Sequence, residues 1–95
     1  MSDTREYNGY KNYATWAVNL HYGADIDDWL EGKEFDSLYE AMTYVRERVL
    51  DSVDEQLEAH HSFFMSDIVY AALDDVDFYR LVEVRSDSFC IRQVA

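Results

Sequence analysis

The segment 37–59, SLYEAMTYVRERVLDSVDEQLEA, has fewer structural options than any other part of this chain. Ser37 followed three residues on by Glu40 is a capping box, in which side chains satisfy the orphan backbone donors of a helix start. At ~100° per residue, Leu38, Met42, Val45, Val49, Val53 and Leu57 share one face. Glu40, Glu47, Asp51, Asp54 and Glu58 share the opposite face, in a strip roughly 60° wide that holds no Lys or Arg. A solvated helix face gains from Glu–Lys pairs four residues apart and loses from like-charge pairs. Here the repulsion stands. The pattern predicts a core built on the first face and a positively charged partner for the second.

Length and charge set the outer limits. Ninety-five residues make one acidic helical domain, 1–95, with residues 1–6 and 88–95 as its loose ends. With 48% apolar residues and fifteen aromatics, the chain can bury a core, which argues against intrinsic disorder. Twenty acids against eight bases give a formal charge of −12. That sign argues against direct nucleic-acid binding, whose affinity comes from neutralising phosphates with Lys and Arg, and against anionic membrane surfaces. A single cysteine, Cys90, leaves no intrachain disulfide and fits a reducing compartment. The start, MSDTREYNGY, has no apolar leader and no run approaches a membrane span, so the expected location is cytoplasmic.

In chain order, Asn8-Gly9 is a turn dipeptide and Asn12 N-caps a helix, its side chain reaching the Thr15 N–H. Tyr13, Trp16, Ala17 and Leu20 keep helical spacing up to Gly23, the expected stop, with Trp16 a core anchor. Asp25 or Asp27 then caps a short helix carrying Ile26, Trp29 and Leu30 that Gly32 ends. The six acids between Asp25 and Asp36 do not form a calcium loop, because position six from Asp25 is Leu30 and position twelve is Asp36. His60 and His61, adjacent on a helix, point ~100° apart, and the ligand count argues against a metal. Phe63 and Phe64 are expected to pack inward from a linker ending at Met65. Ser66 caps a helix with Ile68, Val69, Ala72 and Leu73 on its apolar face and Tyr70 at one margin. Asp77 caps a last short helix, FYRLVEV, although residues 81–84 also read as a strand. The predicted fold is all-α, four or five helices packed on the long one, with a short C-terminal strand or a loose tail. Trp16, Trp29, Val45, Val49, Leu57, Phe63, Ile68, Leu73, Phe78 and Leu81 form the predicted core.

No nucleophile elbow, P-loop, zinc-protease helix or Cys-x-x-Cys occurs, and no His is tied by spacing to Cys90 or a Ser. The chain reads as a non-enzyme without a cofactor. Tyr7, Asn8, Gly9, Asn12, Thr15 and Trp16 form a Tyr-Asn-Gly-x-x-Asn-x-x-Thr-Trp pattern, and a softer pattern follows in ALDDVDFYRLVE. With these two segments the chain resembles a family of small, largely uncharacterised proteins of phages, other mobile elements and their hosts. The resemblance covers about a third of the chain and implies a small accessory protein acting inside an infected or host bacterium.

In that context the acidic strip suggests electrostatic imitation of DNA. The expected function is inhibition of an anti-CRISPR or anti-restriction type, masking a basic nucleic-acid-binding protein such as a CRISPR effector subunit. Candidate contact residues are Asp27, Asp28, Glu31, Glu40, Glu47, Asp51, Asp54 and Glu58, with Tyr44 beside the strip as an exposed aromatic anchor. The alternative is a structural or regulatory phage protein that self-associates, as a homodimer for instance, through an aromatic face, its charge serving solubility.

Overall fold

The computed structural model describes residues 10, 12–59 and 63–92. Among them lie four helices, α1 (Tyr13–Leu30), α2 (Leu38–Glu58), α3 (Phe63–Asp74) and α4 (Phe78–Glu83), and two strands, β1 (Glu34–Phe35) and β2 (Cys90–Ile91). The all-α bundle on one long helix is the observed architecture, with the short C-terminal strand present. His60 and His61 lie outside the described residues.

Local capping sets most of the helix starts. Asn12 accepts the Thr15 N–H at 2.8 Å to open α1, and Ser37 accepts the Glu40 N–H at 3.1 Å to open α2. Glu40 Oε1 completes the box by accepting from the Asp36 N–H at 2.9 Å. Asp77 opens α4 by accepting from the Arg80 N–H at 3.1 Å. Residues 81–84 are thus helix and turn, not strand.

α1 does not stop at Gly23; it runs on to Leu30, merging the two helices expected there. Gly23 is buried, and a Cβ placed on it would meet Arg85 Nη2 at 3.2 Å. Glycine costs about 1 kcal/mol in a helix relative to alanine. That cost is accepted here because the turn after α4 packs against the site. Gly32, at φ +73°, does end the helix, in the left-handed conformation that glycine adopts without penalty.

The core is where α2 meets α4 and α1. Ala41, Val45 and Val49 of α2 are fully buried against Leu81, Val82 and Phe78 of α4 and Ile26 and Leu30 of α1. Trp16, Trp29, Leu73, Leu38, Met42 and Val53 pack around this cluster half-buried. The tail is tied down at its base: β2 runs parallel to β1, Glu34 opposite Cys90, and buried Phe89 meets Phe35 edge-on at 5.7 Å.

Two expectations about the core are overturned. Phe63 and Ile68 are not core residues but stand in solvent. Phe63, Phe64 and Met65 are not an inward-packing linker but the first turn of α3, so Ser66 lies inside that helix and does not cap it. α3 buries no residue fully and joins the body through half-buried Leu73 and the Val76 turn. The radius of gyration is 14.7 Å, against about 12–13 Å for a compact chain this long.

Candidate interaction surface

The two segments that carry the sequence resemblance meet in space. Asn12 Nδ2 donates to the Asp75 carbonyl at 2.8 Å, and the Asp77 N–H donates to Thr15 Oγ1 at 2.8 Å. Thr15 is fully buried. The same two side chains therefore start α1 and position the start of α4. Asn12 and Thr15 thus hold the fold together, while Tyr7, Asn8 and Gly9 of the pattern lie outside the described residues.

The acidic strip of α2 is exposed along its length. Glu40, Glu47, Asp51, Asp54 and Glu58 all face solvent. Glu40 serves the capping box, whereas Glu47, Asp51, Asp54 and Glu58 form no ion pair among the described residues. Three arginines are held elsewhere, and Arg46 lies outside the strip. Arg48 lies over the rings of Tyr44, at 5.0 Å, and Trp29, at 5.5 Å. Arg85, whose side chain is 12% exposed, bonds Asp27 through Nε at 2.6 Å, Asn19 through Nη2 at 2.5 Å and the Leu81 carbonyl through Nη1 at 2.9 Å. Arg92 bonds Asp36 at 2.7 Å and Glu34 at 3.2 Å. The hydrogen bond to Glu34, then the charge of Asp36, raises the Arg92 pKa above the ordinary arginine value.

The other candidates separate. Trp29 turns toward Arg48 of α2, while Asp27, ~200° around α1 from it, turns toward Arg85 beside α4. Asp27 is thus partly neutralised on a different flank from the strip. Asp28 and Glu31 are exposed, Glu31 at the C-cap of α1. Residues 74–77 line a hollow with Asn12, Met42 and Arg46, and Arg46 is ~100° around α2 from Glu47. Tyr44 is not an exposed anchor: it is half-buried, packed on Phe35 with ring centroids 5.4 Å apart and covered by Arg48.

Sequence reasoning missed two surface features. One is the solvent-facing apolar start of α3. The other is a groove of about 540 Å³ lined by Ala17, Val18, His21, Tyr22 and Asp25 of α1, Ser52, Val53, Gln56 and Leu57 of α2, and Val69 of α3. Three of the lining side chains are linked, with Tyr22 Oη 3.1 Å from Ser52 Oγ and accepting from Gln56 Nε2 at 3.0 Å. Two consecutive phenylalanines were visible in the sequence, but whether a neighbour covers them is a tertiary fact.

No described helix is long and apolar enough to cross a membrane. No curated protein and no solved structure matches the chain. Residues 3–88 match DUF7249, a family of unknown function, and the chain belongs to that family.

Proposed function

We propose that this protein is an inhibitor that binds a positively charged nucleic-acid-binding surface on a host defence complex, of the anti-CRISPR or anti-restriction type. The observation that carries the reading is the exposed row Glu47, Asp51, Asp54 and Glu58, unpaired among the described residues while Arg48, Arg85 and Arg92 are engaged elsewhere. Carboxylates four and seven residues apart on a helix recur every ~6 and ~10 Å along its axis. Phosphates along one DNA strand are spaced on the order of 6–7 Å, within a duplex carrying one charge per ~1.7 Å of axis. Such a row supplies a ladder of acceptors to a Lys- and Arg-lined channel, and a charge of −12 steers the encounter. The N-terminal pattern's resemblance to mobile-element proteins supports the defence context and a site of action in the bacterial cytoplasm.

The reading needs no catalytic group in the inhibitor, since occupancy of the channel suffices. The test is plasmid interference in a bacterium with an active CRISPR or restriction system. Expression of the chain is expected to protect a targeted plasmid, and Asp51→Lys with Asp54→Lys is expected to abolish protection while the circular dichroism spectrum stays native. Full protection by the folded, charge-reversed variant overturns the reading.

A further inference from the structure

We infer that the groove between α1 and α2 is a binding site for a small organic cation, one that joins an apolar body to a protonated amine. Its size fits a small molecule. At about 540 Å³ it falls within the roughly 300–1,000 Å³ typical of such sites. The ten described residues that line it are too few for a stable protein interface, which takes about 20–30 a side. Three helices wall it, and Ala17 of α1, Val53 and Leu57 of α2 and Val69 of α3 give it apolar surface for the ligand's body.

The charge around the groove selects the head group. No Lys or Arg lines it, and the imidazole of His21 is its only basic side chain. Asp25, one turn after His21 on the same face of α1, forms no hydrogen bond or ion pair among the described residues. Gln56 donates through Nε2 to Tyr22 Oη at 3.0 Å and to Ser52 Oγ at 3.3 Å, so its amide protons are engaged and Oε1 remains as an acceptor. Gln56 and Leu57 also belong to the last turn of α2, where unsatisfied carbonyls carry the negative end of the helix dipole and no basic residue offsets it. Asp54 follows ~60° around α2 from Leu57 and adds its negative field beside the groove. A carboxylate, an amide oxygen and a helix C-terminus therefore act together on one apolar groove. They oppose an anion and match an ammonium group that brings both the charge and the N–H donors. The inference does not rest on the defence reading, which uses the far side of α2.

Titration of the full chain with tryptamine, followed by amide chemical shifts and calorimetry, tests the site. Tryptamine is expected to bind one to one with a Kd of about 1 mM or tighter and to shift the amides of Ala17, Asp25, Val53 and Leu57. Indole-3-propionate, which carries the same rings and a carboxylate in place of the amine, is expected to bind at least about tenfold more weakly, because attraction becomes repulsion. Spermidine, a cation without an apolar body, is expected to leave Val53 and Leu57 unshifted. Asp25→Asn, a change at an exposed position, is expected to weaken tryptamine binding about fivefold with an unchanged circular dichroism spectrum. No shifts in the groove, equal binding of the carboxylate, the same groove shifts with spermidine, or undiminished binding by the folded Asp25→Asn variant each overturn the inference.

Discussion

Replacing Thr15 by valine removes one oxygen from the buried junction between α1 and α4 and keeps the side-chain shape. Thr15 Oγ1 accepts the Asp77 N–H at 2.8 Å from a fully buried position. Taking away one partner of a buried hydrogen bond costs about 1–3 kcal/mol, because the remaining group keeps its desolvation penalty. The midpoint, about 2 kcal/mol, lowers the melting temperature by roughly 10 °C at 4–8 °C per kcal/mol for a domain of this size. Asn12→Ala should cost about 1 kcal/mol for the lost cap, with a smaller loss for the exposed bond to Asp75. Both changes loosen the same attachment, so their combined cost should fall short of the sum by about 0.5 kcal/mol or more. Urea unfolding at constant m-value measures all three. A Thr15→Val variant within about 0.5 kcal/mol of wild type would falsify the idea that this bond positions α4.

Gly23→Ala should not deliver the about 1 kcal/mol that helix propensity offers, since the new methyl crowds Arg85 at 3.2 Å. In an Arg85→Ala background the same change should recover that gain, and equal effects in both backgrounds count against the close-approach explanation. Gly32→Ala should cost about 1 kcal/mol or more in thermal unfolding, because φ +73° is strained for any residue with a Cβ. Arg92 has its pKa raised in the folded state, so its contribution is complete below the ordinary arginine value and fades only at higher pH. Arg92→Gln should therefore lower stability without changing its slope in pH between about 7 and about 9, as followed by urea midpoints. Reversing Asp51 and Asp54 to lysine puts one new cation four residues after Glu47 and the other four residues before Glu58, replacing repulsion by attraction. The melting temperature of that variant should equal or exceed the wild-type value. A lower one contradicts the view that the acidic row is kept at a cost in stability.

What could be read in advance was what neighbouring residues decide. The caps at Asn12, Ser37 and Asp77 are exchanges between residues three apart, and the α2 stripe follows from helical period alone. Gly23 misled because a local propensity of about 1 kcal/mol was outweighed by a contact with Arg85, sixty-two positions away. The start of α3 misled differently. Aromatic composition suggested burial, yet no described element covers Phe63 or Phe64. Tyr44 was expected as an exposed anchor beside the strip, but contacts with Phe35 and Arg48 leave it half-buried. Asp27 looked equivalent to the acids on α2 until Arg85 reached it from the far end of the chain. Charge can be counted in a sequence, whereas its pairing is set by packing.

The most direct measurement of the central claim is a parallel capture from a CRISPR-bearing bacterial lysate, using tagged wild type and the Asp51→Lys, Asp54→Lys variant at about 0.1 M and about 1 M salt, where the screening length falls from about 10 to about 3 Å. The account predicts that wild type alone retains a nucleic-acid-binding effector subunit at low salt, releases it at high salt, and is displaced from it by duplex DNA. Equal capture by the reversed variant, or capture indifferent to salt and DNA, contradicts the account.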